Sequence, residues 1–340
     1  MSIGSMRGIT DKISNETYIN LAMLVSLVVL FFLARLALPK FASIANIQNL
    51  ISNQWYIILL GIGVTHLLIA GYFDMSVGGI VAMAGVLSVY FCQGNTSTAS
   101  ELSRGLNLPY GISIALTLLA CLGIGAVNSF FIAKLKVASI IITLGTMSVA
   151  RGIAQILTQG AQRNTDLPDV FTVIGKTSIP GTSMTIAVLI VAVFVILAIV
   201  VEKKTVFGRR IYQIGANQNA ARLSGVKVER QVTILYLISA LLAGITGILL
   251  ASEFGAGYSS RGRGYEFDAL VITLLGGTSI NGGFGSAFGT VIGALIISVI
   301  TSTATGLLLR PEWQYIIKGA ATFIAIMAQR YALEKRMNNG

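Results

Sequence analysis

Few side chains in this 340-residue chain are of a kind that performs chemistry. The single histidine, His66, lies in an apolar run without a Cys or His partner, so it is expected to be a hydrogen-bonded core residue, not a metal ligand. The stretch GGTSINGG, from Gly276, has glycine spacing close to a phosphate loop. It lacks the following Lys-Ser/Thr that would grip phosphates. Gly262-Arg263-Gly264 has no strand before it. Asp74 and Asp268 sit at the edges of apolar runs, where an ionisable group is costly and usually has a task. They could serve a polar ligand or tie the end of a broken helix, since carboxylates favour helix N-termini. The structural task is the expectation for both. There is no nucleophile elbow, no acid/base carboxylate pair and no metal-ligand cluster. The chain is therefore expected to catalyse nothing alone and to carry no metal or cofactor.

The remaining concentration of polar chemistry is one basic segment. Between Lys203 and Arg230 lie Lys203, Lys204, Arg209, Arg210, Arg222, Lys227 and Arg230, against Glu229 alone. Within it, Asn217 can cap a short helix and Gly225 can end it about two turns later. So short a helix needs another surface to hold it. A basic loop carrying a docked helix at the inner face of a membrane is suited to engage a cytoplasmic protein.

The elements that position these residues follow from composition. The chain is 54% hydrophobic and 11% charged, with mean hydropathy +0.80, whereas soluble domains are about a quarter charged. The expected fold is all-α and polytopic. The net charge of +11 does not indicate nucleic acid, because the charges lie in short loops between apolar runs and no basic aromatic platform is present. About ten spans are expected, some broken or re-entrant, near 18–38, 53–72, 75–92, 110–133, 138–158, 183–201, 231–251, 266–280, 284–304 and 313–331. They group as a block over 18–201, the cytoplasmic segment 202–230 and a second block over 231–331. With the N-terminus inside, fourteen Lys and Arg fall in the cytoplasm and seven outside, so both termini are expected inside. Cys92 and Cys121 read as buried small hydrophobes, not a disulfide.

Phe73-Asp74 and Phe267-Asp268 each lead into a Gly-rich apolar segment, five spans apart. Equivalent points would then lie on opposite sides of the membrane, as in an inverted repeat. Gly285, Gly289 and Gly293 recur every fourth residue, which on a helix lets a neighbouring backbone approach.

Five blocks carry a resemblance. They are LIAGYFDMSVGGIVAMAG (68–85), GAVNSFFIAKLKVASIIITLGTMSVARGIA (125–154), KTVFGRRIYQIGANQNAARLSGVKV (204–228), GYEFDALVITLLGGTSINGGFGSAFGTVIGALI (264–296) and WQYIIKGA (313–320). In this order they resemble the permease subunits of bacterial ATP-binding-cassette importers for simple sugars, of the ribose, xylose, galactose and arabinose type. One departure is Tyr72-Phe73 before Asp74, bulkier than the family's Gly-Gly-Ile-Asp, which bears on substrate identity.

The resemblance implies a bacterial inner-membrane permease paired with a second copy or paralogue. It also implies a cytoplasmic ATPase holding ATP and Mg, and a periplasmic or lipid-anchored sugar-binding protein. It makes Ala216–Gly225 the counterpart of the helix that seats in an ATPase groove. Gly215 would release its start and Gly225 its end. Asn217 would cap it, Ala220 and Ala221 would permit close contact, Leu223 would anchor it, and Arg222 would offer an ion pair. A neutral sugar needs amide, hydroxyl and aromatic groups; Phe73, Asn128, Thr143, Thr146, Ser148, Thr273 and Thr278 are the candidates. Arg163, Arg261, Arg263 and Arg310 are expected to face outward and dock the binding protein. Arg151 and Lys318 are expected to snorkel. The alternatives are an importer of a nucleoside or furanone signal, a secondary transporter, and a membrane enzyme.

Overall fold

A computed structural model describes residues 3–94, 104–164, 166–310, 312–320, 323 and 327, with side chains from residue 20 onward. Parts of the expected outer loop 93–109 and of the tenth span, 313–331, lie outside the described residues.

The chain is mostly helical. In order it forms α1 (Ile3–Ala37), α2 (Ile44–Ser52), α3 (Trp55–Ile69), α4 (Val77–Cys92), α5 (Tyr110–Ser129) and α6 (Ser139–Thr158). Then follow β1 (Gln162–Arg163), α7 (Asp169–Lys176), α8 (Ile186–Lys204), α9 (Val206–Ala216), α10 (Gln218–Leu223) and α11 (Val228–Phe254). Last come β2 (Gly257–Tyr258), α12 (Tyr265–Leu275) and α13 (Ala287–Gly306), and the chain is again helical over 312–320. Among the described residues, six helices are long and apolar enough to cross a membrane, or seven if α2 and α3, bent by 44°, cross as one. At 16 and 11 residues, α4 and α12 fall below that length.

The most buried helices mark the centre. α11 packs against α3, α4, α5 and α7, and nearly every residue of α3 and α4 is buried. These helices are apolar all round, as expected of spans enclosed by other spans. By contrast α1, α5, α6 and α8 keep rows of exposed Leu, Val and Ile, such as Leu189, Val193, Ile196 and Val200 on α8. Cys92 and Cys121 are both buried and free, in line with the sequence.

Three of the breaks between helices, residues 70–76, 255–264 and 276–286, are packed against other parts of the chain. Backbone polar groups in such breaks cannot be left facing lipid. The first break is closed by side chains: Tyr236 Oη donates to Phe73 O at 2.8 Å, and Phe73 N donates to Ser139 Oγ at 3.2 Å. The second folds back along α4, so that a Cβ on Gly78 or on Gly262 would collide with the other's carbonyl oxygen. Phe73-Asp74 and Phe267-Asp268 are not equivalent here. The first pair lies in a break and the second in the first turn of α12.

Glycine packing joins α12 to α13. A Cβ on Gly289 would run into Gly276 O, and one on Gly293 into Ile272 O. The expectation of a close approach therefore holds for Gly289 and Gly293. Gly285 differs: it precedes α13, and its φ of 148° suits glycine. Substituting Gly289→Leu should force α12 and α13 apart at an overpacking cost of about 1–3 kcal/mol. The check is apparent unfolding temperature in detergent, and an unchanged midpoint would contradict the close-packed arrangement.

Candidate functional site

The short helix α10 is built as its local sequence predicts. Asn217 Oδ1 accepts from Ala220 N at 2.9 Å, an N-cap. At the other end Gly225 has φ 84°, its N–H donates to Arg222 O, and Val226 N donates to Ala221 O, both at 3.0 Å. These two bonds are the Schellman pattern. Leu223 is 91% exposed, and Ala220 beside it is exposed as well. Arg222 pairs with Glu229 at 3.0 Å within the same chain.

Two expectations for this segment need correction. Ala221 is 2% exposed and belongs to an apolar cluster with Leu67, Ile69, Ile211 and Val226, so it faces its own protein and cannot meet a partner. Gly215 lies inside α9 and releases nothing. It is glycine because Ile69 O and Gly283 N occupy the space of a side chain.

Asp74 anchors a buried polar chain. It accepts from Ser76 N at 2.9 Å, from Ser76 Oγ, and from Ser239 Oγ at 2.7 Å. Asn128 Nδ2 donates to Ser76 Oγ at 2.9 Å, and Thr146 Oγ1 donates to Asn128 Oδ1 at 2.6 Å. The first break is thus tied to α5, α6 and α11. Asp268 pairs with Lys318 at 3.2 Å, joining α12 to the helical segment 312–320. Lys318 therefore has a partner and does not simply reach for solvent. His66 is buried, with Nδ1 2.8 Å from Ile62 O.

Most of the proposed path residues are turned inward. Asn128, Thr143, Thr146, Thr273 and Thr278 are all buried. Thr143 Oγ1 donates to Ser139 O one turn back, and Thr65 bridges Thr273 and Thr290 at 3.2 and 2.6 Å. The first bond lies within α6, whereas the threonine bridge holds α3, α12 and α13 together. Ser148, on the exposed face of α6, and the half-buried Phe73 are the two that reach a surface. Phe73 lines a cavity of about 380 Å³ with Tyr72, Ser139, Gln218 and Arg222.

The outer arginines divide as well. Arg163 is 3% exposed and does not face outward. It donates to Gln93 Oε1 at 3.0 Å, to Leu157 O at 2.6 Å and to Arg104 O, and stacks on Tyr90. Burial pushes its pKa below the usual arginine value. It fastens the loop that carries β1 against β2. Arg261 is half-buried on the Phe254 ring, 3.9 Å from its centre, whereas Arg263 and Arg310 are exposed.

Sequence reasoning missed Glu202 and Tyr212. Glu202 lies in the last turn of α8, is 4% exposed, and accepts a 2.8 Å bond from Ala287 N. Tyr212 Oη lies 2.8 Å from its Oε1. The available signal was a carboxylate joined directly to the end of an apolar run, ahead of the basic cluster. Among the described residues, the buried Oε2 of Glu266 has no hydrogen-bond partner.

Residues 46–326 match the model of the family described as the permease component of branched-chain amino acid transport systems. The chain is 34% identical over 309 residues to the L-arabinose transport system permease protein of Escherichia coli K12, covering 91% of this chain and 90% of that one. It is 29% identical to the ribose import permease protein of Haemophilus influenzae, over 92% and 94% of the two chains. It is 30% identical to the galactose/methyl galactoside import permease protein of Salmonella typhimurium, over 87% and 90%. No solved structure matches the chain.

The Asp74 chain gives a direct test. Asp74→Ala would leave donors of Ser76 and Ser239 without their acceptor, at about 1–3 kcal/mol for each orphaned buried group. Asp74→Asn keeps an acceptor and should cost less. Unfolding midpoints in detergent should therefore rank native, Asn, Ala. Equal midpoints for Asn and Ala would remove Asp74 from the scaffold.

Proposed function

Because the chain belongs to the family of transport-system permease components that includes the ribose, L-arabinose and galactose import permeases, we propose that it moves a neutral monosaccharide, a pentose or hexose, inward across a bacterial cytoplasmic membrane. Its relatives are transport subunits and not enzymes. The chain is a multi-pass membrane protein by its family and its apolar helices. ATP and Mg would bind a separate cytoplasmic ATPase, and a binding protein outside would deliver the sugar.

The observation that carries this reading is α10. A helix of six residues, capped at both ends, buries Ala221 against its own protein and holds Leu223 91% exposed. An exposed leucine on a rigid, basic ledge suits an apolar pocket of an ATPase. Leu223 and Ala220 would make that contact, with Asn217 and Gly225 fixing the helix that presents them. This orientation puts 202–230 and both termini in the cytoplasm.

A sugar path would follow the exposed face of α6 past Ser148 toward Phe73, completed by a second permease copy. Ile141, Leu144 and Val149 share that face. Of the four outer arginines, the exposed Arg263 and Arg310 remain for the binding protein, with Arg261 half-buried.

The reading is tested with the permease, its co-purified ATPase and the binding protein in proteoliposomes. ATP-dependent uptake of radiolabelled D-ribose, L-arabinose or D-galactose is expected. Leu223→Asp should weaken ATPase association about ten- to hundredfold, equivalent to burying one leucine side chain, with normal membrane insertion. Uptake driven by a proton gradient without the ATPase would favour a secondary transporter. Uptake of a nucleoside in preference to all three sugars would move the substrate class.

A further inference from the structure

Several contacts join the segment carrying α10 to a turn some seventy residues further along the chain. Glu202 Oε2 accepts from Ala287 N, the first amide of α13, at 2.8 Å. The carboxylate thus meets the positive end of that helix. Tyr212, on α9, lies 2.8 Å from Glu202 Oε1 and 2.7 Å from Gly285 O. One turn later Gly215 packs on Gly283 N and Ile69 O, and Gly283 N donates to Ile69 O at 2.8 Å. Three attachments therefore fall within residues 283–287, which end the break between α12 and α13.

The two sides of this junction are each stiff. Asn217 alone separates α9 from α10, and it caps the latter, so the two helices are held together at close range. On the other side α12 and α13 are locked by the Gly276, Gly289 and Gly293 contacts. The loop leading into α12 touches the start of α4 through Gly262 and Gly78. A displacement of α10 has a short, well-packed route to α13 and, through α12, to the first break.

We propose that Glu202 and Tyr212 are positioning residues for transport, tying the ATPase-facing helices to the N-terminus of α13 so that movement of α10 is passed to the α12–α13 pair. This rests on the reading of α10 as the ATPase contact. It predicts a particular failure: without the tie, the ATPase still binds and turns over, and the span it should move no longer follows. A scaffold role predicts something else, a loss of folded complex that lowers hydrolysis and uptake together.

The experiment uses the complete complex in proteoliposomes, with ATP hydrolysis and uptake of D-ribose, L-arabinose and D-galactose measured on the same preparation. Tyr212→Phe removes one oxygen and keeps the ring. It should retain the ATPase on an affinity-tagged permease, keep hydrolysing ATP, and show about a tenfold fall in sugar moved per ATP, the scale of one hydrogen bond to a charged group. Glu202→Ala should do the same more severely, and Glu202→Gln, which keeps an acceptor, should recover part of the ratio. An unchanged ratio in Tyr212→Phe overturns the proposal, including when hydrolysis and uptake fall in parallel. If Glu202→Ala does not fold, Tyr212→Phe decides alone. A benzophenone probe on Leu223→Cys in the otherwise native permease separates this proposal from its premise. Crosslinking to the ATPase with an unchanged ratio removes the tie only. No crosslink removes the α10 contact and the tie with it.

Discussion

The structure depends on one constraint: a backbone N–H or C=O inside a bilayer must find its partner within the protein. Unbroken helices meet it by themselves. Residues 70–76, 255–264 and 276–286 do not, so each is enclosed by other parts of the chain. Tyr236 and Ser139 cover the first, the second lies along α4, and the third rests on Ile69 and α9. The glycines follow from this enclosure. At Gly78, Gly215, Gly262, Gly276 and Gly289 another segment's backbone occupies the place of a side chain.

Once the breaks are enclosed, the polar residues of the interior have largely fixed duties. Asp74, Ser76, Asn128, Thr146 and Ser239 form one chain of bonds around the first break. Thr65, Thr273 and Thr290 hold α3, α12 and α13 together. Glu202 does for the third break what Asp74 does for the first, with a helix amide in place of serine hydroxyls as its partner. The three carboxylates thus join different pairs of helices, and Asp268 uses a lysine.

What could be read from the sequence was local. The N-cap at Asn217 and the left-handed Gly225 involve bonds between residues three to five apart, so neighbouring residue types suffice to predict them. The apolar runs were legible for similar reasons. Facing was not. Ala221 and Ala220 are adjacent and alike, yet one is buried and the other exposed, because Ala221 packs in a cluster with Leu67 and Ile69, distant in sequence, as well as Ile211 on α9. Arg163 looked like any loop cation, but acceptors from Gln93, Arg104 and the last turn of α6 at Leu157 converge on it. Thr143 and Ser148 are both hydroxyls on α6, and only packing against neighbouring helices decides which of them is exposed.

This distribution bears on how an importer of this kind would divide its labour. A sugar carries many hydroxyls, and a site that selects among sugars must match them with fixed donors and acceptors, because an unmatched buried group is costly. Here the interior amide and hydroxyl groups of Asn128, Thr146 and Thr273 already bond to the protein itself. The exposed face of α6 offers Ser148 among Ile141, Leu144 and Val149, and Ser148 Oγ itself donates to Leu144 O. Such a surface can let a neutral polyol pass without holding it tightly. In the proposed importer, weak contact would favour release and would leave discrimination to a separate binding protein. On the proposed path the bulky Tyr72-Phe73 pair would stand at the inner end, where it would narrow passage by size, beside the bonds that Asp74 accepts.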